Sequence, residues 1–202
     1  MARLVLYDHP GSTNALKLRF LLAELELDDV ERIEVPLEGE RPPDYRSIHP
    51  FELIPALRVD DELTITESNT ALRFLAEHAG RPDLRGADPY RRAGVDGILD
   101  SLSLELRPRL WAVEEVAVYG REVADAERGH RIATLEDALE RFDSLLDPEG
   151  PFALGATFTI ADVALAARLL HLPSLPLDRA IAPRLRRVVA AASARPAFAR
   201  AR

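Results

Sequence analysis

The first apolar run of the chain, RLVLY at residues 3 to 7, ends in Asp8, His9, Pro10 and Gly11, which reads as a strand followed by a turn. Leu18, Leu21, Leu22 and Leu25 then recur at helical spacing, with Lys17, Arg19 and Glu24 off that face. Residues 30 to 37, VERIEVPL, alternate as a strand does and lead into the polar, Pro-rich EGERPPDY. Strand, helix and strand in this order predict a βαβ unit with a parallel pair. Residues 56 to 59 and 63 to 66 flank Asp60-Asp61 as the arms of a hairpin, and ESNTALRFLAEHAG then turns helical, with Gly80 as its stop.

From residue 81 the pattern changes. GRPDLRGADPYRR, 80 to 92, has the Gly, Pro and charge content of a linker. Beyond it no convincing strand occurs, and amphipathic helical patterns run over about 90 to 119, 125 to 146, 160 to 171 and 180 to 193, broken by LDPEGP and LPSLPL. The expected organisation is a small α/β domain over 1–80, a linker over 81–89 and an all-helical domain over 90–202.

Composition narrows the function classes. With 202 residues, 47% of them hydrophobic, the chain is long enough to bury a core without covalent staples. Its 34 acidic residues outnumber 26 basic ones, a net charge of −8 that argues against nucleic acid as a partner. The basic run from Arg179 to Arg202 reads as a solvated helix face. There is no cysteine, so no protein thiolate, disulfide or Cys-based metal site is available, and no His/carboxylate spacing suggests a metal centre. The N-terminus has no signal-like apolar region and no run is long enough for a membrane span, so a soluble, cytoplasmic protein is expected. Lys17 is the only lysine, which reads as a coding bias toward Arg.

Four short stretches invite a chemical reading beside a structural one. Ser12, Thr13 and Asn14 stand in a row before an apolar helix, where they either cap it or hold a reactant. Glu67 and Ser68 stand at a second helix start just after a strand, where free N–H groups and the helix dipole cap the helix or bind a carboxylate. Pro55 opens a strand, in trans as edge prolines do or in cis. Arg41 is either a solvated loop residue or a grip for a carboxylate. Tyr7 reads as core or rim, and His9 as a pocket residue without a partner for acid-base work.

HPGST (9 to 13), GER (39 to 41), HPFELIPAL (49 to 57) and TESNTALRFL (66 to 75), in this order before a helical domain, resemble the glutathione S-transferases, most closely the serine-type enzymes of the phi class and their bacterial relatives. The resemblance implies a thioredoxin-like α/β domain followed by an all-α domain, and a cytoplasmic homodimer that conjugates glutathione to a small hydrophobic electrophile. It makes Ser12 the hydroxyl that favours the bound thiolate. Ile54 and a cis Pro55 would receive the cysteinyl backbone, Glu67 and Ser68 the ammonium and carboxylate of the γ-glutamyl end, and Arg41 the glycyl carboxylate. The electrophile would lie among helical side chains such as Leu104, Arg107 and Trp111, and no metal is implied. Thr159 and Asp162, in FALGATFTIADVALA, have the spacing of the family's capping box.

Beside Arg41, which stands where the family pattern usually has His, two positions before Pro55 depart from that pattern. Glu52 stands where glycine is usual, which predicts an altered backbone angle if φ must be positive there, and Leu53 replaces a polar residue. Both leave open a different low-molecular-weight thiol, or a non-catalytic relative used as a binding or regulatory module.

Overall fold

The computed structural model of the chain describes residues 2–37 and 39–202. Four strands form one sheet: β1 (Leu4–Asp8), β2 (Val30–Glu34), β3 (Ala56–Val59) and β4 (Leu63–Ile65), in the order β2-β1-β3-β4. β2 runs parallel to β1, while β3 and β4 are antiparallel to their neighbours. Helices α1 (Thr13–Glu24), α2 (Tyr45–Ile48) and α3 (Ser68–His78) belong to this part of the chain. After them come α4 (Pro89–Ser101), α5 (Arg107–Ala117), α6 (Asp125–Asp143), α7 (Ile160–Arg168), α8 (Pro183–Ser193) and α9 (Pro196–Ala201).

β1 is buried along its whole length because both faces of the sheet are covered there. Its side chains alternate, so Leu4 and Leu6 enter the main core while Val5 and Tyr7 enter a smaller one under α2, with Val35, Tyr45 and Ala56. The main core continues without a break from the sheet and α1 into the later helices, and Phe20 packs edge-on against Phe198 at 5.1 Å.

Register decides where the connections lie. Tyr7 pairs with Ala56, Asp8 with Glu34 and Leu57 with Ile65. The turn after β1, the loop after β2, the segment before β3 and the start of α3 therefore converge on one end of the sheet. These four connections carry Ser12, Arg41, Ile54-Pro55 and Glu67-Ser68.

Three expectations change. Lys17 and Arg19 do not sit on a polar face: both are buried, since α1 lies between the sheet and helices α7 and α9 and has no face left for solvent. The helix expected over 90–119 is interrupted by a wider π turn at Leu102–Leu106, in which the Arg107 N–H reaches back five residues to the Leu102 carbonyl. Pro108 follows, and the wide turn lets it occupy the first turn of a fresh helix, where its lack of an N–H costs nothing. The basic C-terminal run is only partly solvated, with Arg195 lying 4.1 Å over the Phe158 ring and paired to Glu24.

Candidate functional site

Ser12 ends a turn that the sequence closes on itself. Its N–H donates to the His9 carbonyl at 2.9 Å, and its Oγ accepts the Ala15 N–H at 3.2 Å as the cap of α1. A hydroxyl has one proton and two lone pairs, so capping consumes only a lone pair. The Ser12 proton is donated to no described group and stays available at a helix N-terminus, where positive partial charge gathers. Capping and holding a reactant are compatible roles for this one side chain. His9 is turned back into the loop, its Nδ1 accepting the Gly11 N–H at 3.0 Å. His9, Glu34, Pro36 and Leu37 line an open cleft beside the turn.

Across the sheet end, the Ile54–Pro55 bond is cis. Neither the N–H nor the C=O of Ile54 is engaged by a described backbone or side-chain group, which leaves both able to pair with an extended peptide. Glu52 takes φ +54°, so the position does require the left-handed region and the glutamate adopts it; the expected change of backbone angle does not occur. Two side chains from outside brace this loop: the Tyr45 hydroxyl donates to the Leu53 carbonyl at 2.7 Å, and Arg41 Nε donates to the Glu52 carbonyl at 3.1 Å. Arg41 Nη2 also donates to the Leu37 carbonyl at 3.2 Å. Arg41 is thus a brace between two loops and not a solvated side chain, and its buried Nη1, without a described partner, is the donor left over.

At the third edge, Glu67 precedes α3 with extended backbone and an exposed side chain that makes no cap. Ser68 Oγ accepts from Lys17 Nζ at 3.3 Å, and Asn69 Oδ1 accepts from the same ammonium at 3.1 Å. Burial pushes the Lys17 ammonium down to about 7, the charges of Arg168 and Arg107 push it the same way, and Glu67 opposes them. Asn69 extends the connection, its amide donating to the Leu99 carbonyl and to Ser103 Oγ, both at 3.0 Å.

Of the three helical residues expected to meet an electrophile, Arg107 lies close enough to Lys17 to act on its charge and forms no ion pair with a described residue. Leu104 is largely exposed one turn earlier, and half-exposed Trp111 packs on Tyr119 with ring centroids 5.3 Å apart. Sequence reasoning missed Lys17, Arg19 and Asn69. The available signals were the single lysine in a chain otherwise reliant on Arg, and the polar residue directly after Ser68.

Among the described residues no group of three or more His, Cys, Asp or Glu side chains is placed to hold a metal, and no helix is long and apolar enough to cross a membrane.

Residues 11–78 match the family model of the glutathione S-transferase N-terminal domain. The chain is similar to a maleylacetoacetate isomerase of Pseudomonas aeruginosa, 29% identical over 97% of this chain and 94% of that protein. It is also similar to the glutathione S-transferase GstB of Escherichia coli K12, 27% identical over 96% of this chain and 95% of the relative. Among solved structures it superposes on the theta class glutathione S-transferase of Xanthomonas axonopodis pv. citri, described with glutathione bound, at a TM-score of 0.86. That pair is 25% identical and covers 99% and 97% of the two chains. A four-stranded sheet that gathers these four loops at one end, the helices that follow it, and these likenesses together give the chain a glutathione S-transferase N-terminal domain over residues 11–78 and, over its full length, a fold and sequence similar to those of glutathione S-transferases.

Proposed function

We propose that the protein is a serine-type glutathione transferase, in which residues 1–80 bind and ionise the thiol and the helices of 90–202 present a small hydrophobic electrophile to it. The observation that supports this reading is the Ser12 hydroxyl, which caps α1 by accepting the Ala15 N–H and donates its own proton to no described group. A free thiol has a pKa of about 8.5 and is only a few per cent ionised at neutral pH. A hydrogen bond from Ser12 and the N-terminus of α1 both favour the thiolate, and a shift of about two units raises the nucleophile fraction more than tenfold. The Ile54 N–H and C=O, Ser68, Glu67 and Arg41 Nη1 are arranged round the same sheet end to receive the backbone, carboxylates and ammonium of the tripeptide.

A glutathione-dependent isomerase is the second reading, favoured by the relatives named maleylacetoacetate isomerase, at 29% identity in Pseudomonas aeruginosa and 26% in Rattus norvegicus. Both reactions begin with the same thiolate. They differ in whether the thiol is consumed, so the test is glutathione binding by calorimetry followed by thiol depletion with 1-chloro-2,4-dinitrobenzene. Binding with depletion supports the transferase, binding with turnover of a cis-enol or cis-alkene acid and no depletion supports the isomerase, and no binding overturns both.

The working form in this proposal is a cytoplasmic homodimer. Phe51, 78% exposed in the loop before Pro55, and Tyr90, 89% exposed at the start of α4, supply apolar anchors on the two parts of the chain expected to meet the partner copy. A monomeric mass by sedimentation at micromolar concentration would remove this part of the proposal.

A further inference from the structure

Among the described residues three Lys or Arg side chains are buried, and two of them have a carboxylate partner. Arg19 meets Asp8 at 2.5 Å, and Arg168 makes a two-pronged pair with Glu114 at 2.8 and 3.0 Å. Lys17, only 2% exposed, has no carboxylate within ion-pairing distance among the described residues. It donates to two neutral oxygens, and its charged neighbours Arg168 and Arg107 repel it, with only Glu67 acting in its favour. A buried ammonium in such surroundings is costly, and a Met or Leu of similar volume would fill the place without that cost.

The direction of its hydrogen bonds says what the charge does. In its charged form Lys17 carries donors only, so Ser68 Oγ then accepts from the ammonium and the single Ser68 proton is turned away from it. Ser68 begins α3, so that proton joins the free N–H groups of the helix start. The same logic fixes Asn69: its Oδ1 faces Lys17, and its amide is committed to Leu99 and Ser103. The start of α3 is held on one side by a charge on α1 and on the other by the wide turn that follows α4.

We propose that Lys17 is a positioning residue for thiol-peptide binding: it orients the Ser68 hydroxyl as a donor and supplies the buried counter-charge for a carboxylate held at the start of α3. This rests on the glutathione reading of the site and adds a residue to it. The carboxylate concerned is the one on the γ-glutamyl end, since the glycyl carboxylate falls to Arg41 on the other side of the cleft. Lysine suits the role better than arginine, because a compact ammonium on a flexible stem fits under two small acceptors where a planar fork does not.

The test crosses two ligands with two proteins. The ligands are glutathione and 4-aminobutanoyl-cysteinylglycine, which lacks only the γ-glutamyl α-carboxylate; the proteins are wild type and Lys17→Met, each first shown to be folded by its unfolding transition. Calorimetry is expected to show that Lys17→Met binds glutathione at least tenfold more weakly and binds the analogue within twofold of wild type. At saturating glutathione the turnover number should stay near wild type while KM for glutathione rises. Should Lys17→Met not fold, Lys17→Gln carries the same comparison. Equal glutathione affinity in variant and wild type would overturn the proposal, as would equal losses for both ligands, which is what a merely structural pin predicts. A wild-type protein that binds neither ligand would overturn the glutathione reading itself, and this proposal with it.

Discussion

Arg19 and Asp8 form a buried ion pair, 2.5 Å from Nη1 to Oδ1, that fixes the end of β1 against α1. The same guanidinium donates to the carbonyls of His9 and Pro10, each at 3.1 Å, and to that of Ala201 at 2.8 Å. One side chain therefore holds the turn leading to Ser12 and ties it to the last helix. Asp8→Ala should destabilise the protein by about 3–5 kcal/mol, because it leaves a guanidinium buried without its counter-charge. Asp8→Leu combined with Arg19→Met should recover much of that loss in urea unfolding. The double variant should still bind thiol more weakly, since the carbonyls of His9 and Pro10 lose the donor that shapes the turn.

Asp162 carries more than the capping box its spacing predicts. The box is present. The carboxylate also accepts the Ala153 N–H at 2.6 Å, beside the Thr159 N–H at 2.8 Å and the Thr159 hydroxyl at 3.0 Å. An exposed cap is worth about 0.5–2 kcal/mol, but here truncation orphans several buried donors. Asp162→Ala is expected to cost about 2–4 kcal/mol by chemical denaturation. Activity per folded molecule should be unchanged; a fully folded variant without activity would contradict the folding role.

Glu52 occupies a left-handed backbone conformation that costs a residue with a Cβ roughly 1 kcal/mol. Glu52→Gly should be neutral to stabilising by up to about 1 kcal/mol, the relief of strain being partly offset by the greater freedom of glycine in the unfolded chain. Its effect on glutathione affinity should be small, because Arg41 braces this position through the main-chain carbonyl and not through the side chain. A tenfold change in affinity would show that the Glu52 carboxylate takes part in the site.

The apolar periodicities carried the order of strands and helices, because each strand face and most helix faces meet a single environment. They misplaced Lys17 and Arg19, since α1 is covered on all sides and its polar residues are satisfied by tertiary partners: Asn69 for Lys17, and Asp8 across the turn together with the distant Ala201 for Arg19. No local pattern encodes such pairs. The break at Leu102–Leu106 was hidden for a related reason, as an apolar stripe continues through it and only Pro108 marks the place. The six-residue helix α9 is too short for a period to show. Of the candidate site, the placement of Ser12, Pro55 and Ser68 at helix and strand starts was legible in local turn and cap signals. The support beneath them was not, because it is tertiary.

Lys17 also makes stability depend on pH, with a definite sign. Its native value of about 7 lies below the 10.5 of an unperturbed lysine, chiefly through burial, with Arg168, Arg107 and Glu67 as the charged groups acting on it. Between these two values the unfolded chain binds more protons than the native one, so stability rises with pH across that window. Below about pH 7 the ammonium is charged in both states, and its burial costs on the order of a few kcal/mol. Chemical denaturation of the ligand-free protein between pH 6.5 and 9.5 should show the rise, and Lys17→Met should flatten it. A wild-type curve no steeper than that of the variant would mean that Lys17 titrates as an ordinary lysine.

Ser12→Ala separates the two roles that share one oxygen. As a cap, Ser12 contributes through the bond it accepts from Ala15, and its loss should lower stability by about 0.5–2 kcal/mol. As a sulfur ligand, it contributes through the proton it donates, and a hydrogen bond to a charged group is worth about 1.5–3 kcal/mol, or one to two pKa units of the bound thiol. The same substitution should therefore show both losses, in different measurements. Urea unfolding reads the first, and thiolate absorbance titrated from pH 5 to 9 at saturating glutathione reads the second. Binding of glutathione itself should stay near wild type, since Ile54, Ser68 and Arg41 remain in place. Lower stability with an unchanged thiol pKa would return Ser12 to capping alone and move the sulfur contact to Thr13 or Asn14, the neighbouring polar groups on the first turn of α1.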